Sequence, residues 1–213
     1  MEGTFGFVDL AGFSALTEAH GDQAAADLAL RFTRLVEDAL AGEGRLVKTV
    51  GDAALVVAPH PDAALDFAAR LWCRVAAEPD FPDVRAGLHH GEAVERDGDV
   101  FGAAVNLAAR VAARAHGGEV LATARVADAA RARGVDVTAL GPTVLHNVRD
   151  PVPLFALALA VCAAPPVVDP VCRMRVDPAR AAGRLRVDGV DHWFCSLRCA
   201  VLFADHPEAY LRR

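Results

Sequence analysis

Asp9 closes an apolar run, FGFVD, and Asp52 stands in a Gly-Asp turn between RLVKTV and AALVVA, four positions after Lys48. If the fold brings these runs together, the two carboxylates repel, and one stays protonated unless a cation lies between them. A hard divalent ion, Mg²⁺ or Mn²⁺, meets that need and keeps coordination sites open for phosphate oxygens. On spacing alone the alternative weighs the same: Asp9 caps the next helix and Asp52 forms the turn. Asn106 and Arg110 stand four apart in DVFGAAVNLAARV, on a helical face otherwise made of Ala, Val and Leu. They could bind a ribose and a phosphate, or form a solvated edge. Cys172, Cys195 and Cys199 make a third set, spaced C-x22-C-x3-C. On a helix the last two thiols would point one way. Three converging thiolates in a reducing compartment favour a soft or borderline ion, Zn²⁺ or Cu⁺. The alternative is a small module with buried free thiols, but a unit this short seldom folds on its core alone.

These residues need elements to hold them. Residues 4–10 read as a buried strand, and an Ala-rich stretch over 12–41 has one apolar helical stripe through Leu28, Phe32, Leu35 and Val36. RLVKTV and AALVVA pair as a hairpin across Gly51-Asp52. PDAALDFAARLWCRVAA is helical, DVRAGLHHGEAV a strand, GAAVNLAARVAARA a helix and GEVLAT a strand. The order β-α-β-β-α-β, then α-β, fits an α+β sheet of ferredoxin-like type with helices on one face. In such a sheet the first strand lies beside the third, which makes Asp9 and Asp52 neighbours. Two other residues draw less weight. His89 and His90 are adjacent on a strand and point to opposite faces, so they do not serve one ion. Cys73, beside Trp72 on a helix, reads as a core thiol.

The whole chain has 213 residues, 54% of them hydrophobic, with 22 basic against 28 acidic side chains for a net charge of −6. That is room for one ordinary domain and a small module. No Lys/Arg cluster marks a nucleic-acid surface. The N-terminal MEGTFGFVDL lacks the pattern of a signal peptide, and the longest apolar run, LFALALAVCAA, is too short for a bilayer. A cytoplasmic protein without a membrane or nucleic-acid partner is expected. Five cysteines, an odd number, argue for thiol or metal chemistry over a disulfide framework. The composition changes near Pro165, after which Cys, Trp, Phe and Tyr concentrate. The expected division is a first domain over 1–160, a linker over 161–167 and a small module over 168–213.

FVDLAGFS, KTVGDAAL, RAGLHHGE and DVFGAAVNLAAR together resemble the class III nucleotidyl cyclases, in that order and at suitable separations. The resemblance extends to LGPTVLHNVRDPVPLFAL, similar to the family's last strands. It implies that Asp9 and Asp52 each match a metal-binding Asp and that two Mg²⁺ or Mn²⁺ ions serve each site. Lys48 matches the Lys that reads adenine, Asp99 its acidic partner, Asn106 the ribose-orienting Asn and Arg110 the Arg that stabilises the transition state. Guanylate cyclases of the family typically carry Glu and Cys where this chain has Lys48 and Asp99. A Lys can donate to adenine N1 and a carboxylate can accept from its N6 amine, whereas guanine offers the opposite pattern. The resemblance therefore implies an adenylate cyclase that turns ATP into cyclic AMP and pyrophosphate. It also implies a homodimer, in which Asp9 and Asp52 of one protomer face Lys48, Asp99, Asn106 and Arg110 of the other. Two departures bear on the dimer and the closing strands: the stretch between HHGEAV and DVFG is short, and LHNV stands where LKG is more usual.

The tail is similar to the YHS domain, related to the heavy-metal-sensing motif called TRASH, through DPVC-M, HWFCS and F-HPEAYL. Arg173 stands where a Gly usually follows the first Cys. For the fourth ligand, His192, Asp169, Cys162 and solvent are candidates. The function expected is a cyclase tuned by metal at this module. The alternatives are a non-catalytic metal sensor on a cyclase-like dimer, and a guanylate cyclase.

Overall fold

The computed structural model describes residues 1–159 and 167–211. Ten elements of the first domain carry the candidate site. They are β1 (Glu2–Leu10), α1 (Phe13–His20), α2 (Asp22–Leu40), β2 (Arg45–Val50), β3 (Ala53–Ala58), α3 (Pro61–Ala77), β4 (Val84–Glu92), the β5–β6 hairpin (Val94–Arg96 and Asp99–Phe101) and α4 (Ala103–Ala112). Then come β7 (Val120–Ala122), α5 (Ala124–Ala132), β8 (Asp136–Thr143) and β9 (Val152–Ala158). Seven strands form one sheet in the order β2-β3-β1-β4-β7-β9-β8. The first strand lies beside the third of the chain, as expected, with Asp9 opposite Ala53 on one side and Arg85 on the other.

Two expectations are corrected. The single helix over 12–41 is two helices, broken at Gly21, whose φ of 86° is readily available only to glycine. The helices also do not share one face. Side chains alternate along β1, so Val8 and Leu10 face the core under α1, α2, α3 and α5, while Phe5 faces a second core with Val105 and Ala108 of α4. A strand apolar on both faces needs cover on both. Gly87 of β4 lets α4 close in, because a methyl group there would overlap the Ala112 backbone.

The C-terminal module holds two short ladders, β10 (Val167–Val168) with β11 (Arg175–Val176) and β12 (Gly183–Val187) with β13 (Val190–Phe194), then α6 (Leu197–Asp205) and α7 (Pro207–Leu211). It packs against the first domain. Val171, Phe194 and Phe203 belong to the same core as Leu16 and Phe81. Pro82 bridges to Met174, and the Arg175 side chain donates to the carbonyls of Phe81 and Glu78 at 3.0 Å each. The linker expected at 161–167 lies outside the described residues except for Val167. Cys73 is disulfide-bonded, which corrects the expectation of a free core thiol. Among the described residues no helix is long and apolar enough to cross a membrane.

Candidate active site and metal centre

Asp9 is the next-to-last residue of β1, and Asp52 sits in the β2–β3 turn that Gly51 opens with a φ of 62°. The Leu10 N–H donates to the Asp52 carbonyl at 3.4 Å, tying the turn to the strand end. The Asp52 carboxyl is pushed up to about 6, chiefly by burial, then by a hydrogen bond and charge repulsion from Asp9. The repulsion foreseen between the two carboxylates is therefore present. Arg85, at the start of β4, relieves part of it by donating to Asp9 Oδ2 from Nε at 2.9 Å and from Nη2 at 2.5 Å. Nothing in the motif reading singled out Arg85. The available signal was an arginine at the edge of an otherwise apolar strand, VRAGL.

A cavity of about 440 Å³ opens beside these groups, lined by Asp9, Asp52, Arg85 and the first turns of α1, including Gly12, Phe13 and Ser14. Gly12 holds the helix entry in the left-handed region, at φ 79°. The residues present fit a divalent ion. Asp9 and Asp52 bring two carboxyl groups together beside the cavity, and a cation between them would favour the ionised Asp52 that burial and Asp9 oppose.

Lys48 on β2 and Asp99 at the start of β6 come together, with Nζ donating to Oδ2 at 2.6 Å. The Lys48 ammonium also lies 5.6 Å from the Phe101 ring centre. Asn106 and Arg110 are both exposed on α4, and Arg110 forms no ion pair among the described residues. None of these four lines the Asp9–Asp52 cavity. Within one chain the Asp9–Asp52 pair and the Lys48–Asp99 pair therefore stand apart. The two histidines part as expected: His90 bonds Thr4 and Glu2 at 2.9 and 3.0 Å, His89 bonds Thr123 at 2.8 Å.

The three cysteines converge in the module. Cys172 lies between β10 and β11, Cys195 follows β13, and Cys199 is the third residue of α6. The i, i+4 pair is therefore not on one helix. Ser196 caps α6 between them, accepting from the Cys199 N–H at 3.2 Å, and the turn still brings the thiols to 3.8 Å. Cys172 and Cys195 approach to 3.4 Å. Hydrogen bonds from Cys172 and Cys195 hold the Cys199 thiol down to about 2.

A fourth group joins them that the sequence reading did not include. His20, the last residue of α1, places Nε2 at 3.5 Å from Cys195 Sγ and 3.7 Å from Cys199 Sγ, and the four donor atoms all lie within 4.8 Å of one another. The anticipated candidates are engaged elsewhere. Asp169 is fully buried and accepts from the N–H groups of Val171 and Cys195 at 2.9 Å and of Cys172 at 3.4 Å. His192 packs on Phe203, with ring centres 5.0 Å apart. Cys162 lies outside the described residues.

The chain belongs to the adenylate and guanylate cyclase catalytic domain family, whose profile matches residues 2–158. The YHS domain profile matches residues 167–213. A pH-sensitive adenylate cyclase of Mycobacterium tuberculosis is 38% identical over 156 residues, which is 71% of this chain and 39% of that protein. An adenylate cyclase of Glutamicibacter nicotianae is 37% identical over 127 residues, 59% of this chain and 32% of the relative. The chain thus spans about two fifths or less of the length of these relatives. Among solved structures, the adenylate/guanylate cyclase/hydrolase of Silicibacter pomeroyi aligns with a TM-score of 0.66 at 28% identity, covering 74% of this chain and 96% of that one. A monomeric adenylate cyclase of Trypanosoma brucei aligns at 0.65 and 25% identity, covering 73% and 89%.

Proposed function

We propose that the chain is an adenylate cyclase that forms cyclic AMP and pyrophosphate from ATP, in sites shared between two copies of itself. The observation that carries this reading is the separation of the two half-sites within one chain. The Asp9–Asp52 cavity has the carboxylates for metal, while Lys48, Asp99, Asn106 and Arg110 stand outside it. A second protomer supplies the missing half.

In this reading Asp9 and Asp52 of one protomer hold two Mg²⁺ or Mn²⁺ ions. When bound, the ions supply a lowered pKa for the ribose 3′-OH and neutralise triphosphate charge. The N-terminal end of α1, on the cavity wall, turns its free N–H groups toward the phosphates. From the partner, Lys48 donates to adenine N1 and Asp99 accepts from the N6 amine. Asn106 orients the ribose. The 3′-oxygen then attacks the α-phosphorus, the bond to the bridging oxygen of the β-phosphate breaks, pyrophosphate leaves and the hydroxyl proton passes to solvent. Arg110 neutralises the charge that grows on the α-phosphoryl group. Without an ion pair among the described residues, its guanidinium is available for that task. The C-terminal module binds Zn²⁺ or Cu⁺ through Cys172, Cys195 and Cys199 and tunes the cyclase; the protein is cytoplasmic.

The test is purified protein with Mn²⁺ and each nucleotide, assayed for cyclic product and pyrophosphate. ATP is the substrate and GTP a poor one. Equal rates with both sink the base-reading assignment, and no cyclic product from either sinks the enzyme.

A further inference from the structure

We propose that His20 is the fourth ligand of the cysteine site, so that the bound ion fastens the C-terminal module to the helix that walls the nucleotide cavity. The inference rests on the reading of Cys172, Cys195 and Cys199 as metal ligands and goes beyond it. That reading leaves the fourth position open within the module, whereas here the ligand comes from the cyclase domain.

The distances carry the first step. A tetrahedral zinc with Zn–S near 2.3 Å and Zn–N near 2.05 Å sets ligand atoms about 3.8 Å apart for S–S and about 3.5 Å for S–N. The separations found are 3.8 Å for Cys195–Cys199 and 3.5 and 3.7 Å for His20 to Cys195 and Cys199. Cys172–Cys195, at 3.4 Å, is slightly tighter. Four side chains from three segments thus converge, with all four donor atoms within 4.8 Å of one another. Cys172 and Cys199 are fully buried, so the thiolates have little water to share and gain most from a cation.

The second step is where His20 sits. It ends α1, and α1 starts at Gly12, on the wall of the Asp9–Asp52 cavity. Eight residues at 1.5 Å each make a rod of about 12 Å between the two sites. The module touches this rod at both ends. At the far end Cys195 and Cys199 meet His20. At the near end Arg173 lies on Gly12, where an added Cβ would come within 2.5 Å of Arg173 Cγ. Between them Arg198 donates to the Glu18 carbonyl at 3.4 Å. Gly21 separates α1 from α2 just after His20, so α1 is a short helix of its own, with Leu16 and Ala19 in the same core as Leu28 and Phe32 of α2. An ion that favours the docked module therefore favours one position of the cavity wall, and differential affinity of that kind is what regulation requires.

The test uses the full chain, kept anaerobic, with Zn²⁺ measured by competition against a chromophoric chelator and Co²⁺ as a visible probe of the ligand set. Hydrogen exchange at the α1 amides is followed with and without Zn²⁺. Wild type binds one ion per chain, Cys195→Ser loses at least ~1000-fold in affinity, and His20→Ala loses ~100-fold. His20→Cys restores tight binding with stronger thiolate-to-Co²⁺ absorption, as a fourth sulfur requires. Zn²⁺ slows exchange over residues 13–20 in wild type and fails to do so in His20→Ala. If Cys195→Ser binds as wild type does, the cysteine reading itself fails. If Cys195→Ser loses the ion while His20→Ala keeps both affinity and Co²⁺ spectrum, the cysteine reading survives and His20 is not a ligand. If exchange in α1 ignores the ion in wild type, the coupling to the cavity wall is refuted.

Discussion

Arg85 gives two hydrogen bonds to the same oxygen of Asp9, Oδ2, and a third to the Ala115 carbonyl at 3.5 Å. The protein thus carries its own counter-charge for a crowded pair of carboxylates. Without nucleotide or metal, Arg85 is what lets Asp9 and Asp52 share one end of the sheet. Arg85→Ala should lower stability by about 1–2 kcal/mol at neutral pH, since a partly buried charge loses its partner. Added Mn²⁺ should recover most of that loss by taking over the neutralisation. Thermal melts with and without Mn²⁺ check this; a variant as stable as wild type without metal would show that Arg85 does not carry the pair.

The raised pKa of Asp52 has a definite sign. A carboxyl that titrates near 6 in the fold, against about 3.9 when unfolded, holds its proton more tightly when folded. Between those values the folded state binds more protons, so this group's contribution to stability falls as pH rises toward 6 and stays low above it. In metal-free protein, Asp52→Asn should therefore match wild type near pH 4 and exceed it above pH 6. The gain is on the order of 1 kcal/mol after solvent screening. Denaturant melts across that range measure it, and a difference that grows toward low pH would contradict the assignment.

If sites are shared, two dead chains can make a live one. Asp52→Ala keeps Lys48, Asp99, Asn106 and Arg110 intact, and Arg110→Ala keeps both carboxylates. Each alone should lose at least ~100-fold in cyclase rate. A mixture that forms heterodimers should recover up to about a quarter of wild-type activity, because half of the dimers then hold one intact site of two. Cyclase assays on mixed and co-expressed chains decide it, and no recovery from folded, exchanging chains would end the shared-site reading.

Gly87→Ala tests how α4 is held. The new methyl would overlap the Ala112 backbone, and neither a strand nor a helix backbone can yield cheaply. The substitution should cost about 3 kcal/mol or more and displace α4 with Asn106 and Arg110 on it. A melting curve and a cyclase assay together check this, with loss of rate persisting at temperatures where the variant is folded.

Much of the catalytic domain was legible because its signals are local. Val and Leu runs marked β1, β3 and β4, the Gly51-Asp52 turn marked the hairpin, and the strand order then made Asp9 and Asp52 neighbours. Lys48 and Asp99 were matched through motifs, and they meet at 2.6 Å. What escaped depends on contacts distant in sequence. Asp9 and Arg85 are 76 residues apart, and His20 and Cys199 are 179 apart. No spacing rule spans such gaps. The break at Gly21 was hidden because Ala-rich sequence keeps an apolar stripe on either side of it. The position of α4 was missed for a subtler reason: a strand apolar on both faces, as β1 is, predicts cover on both, but only the run as a whole was weighed.

The place of His20 bears on inheritance. If His20 is the fourth ligand, transplanting residues 167–211 to another cyclase would carry three ligands and leave the fourth behind in the donor's first helix. The graft would also lose the glycine that Arg173 rests on and the carbonyls that Arg175 grips. On that reading the module and the cyclase domain are not interchangeable cassettes. A recipient would have to present a histidine at the end of its first helix and a glycine at its start, so a change in either half would have to be matched in the other.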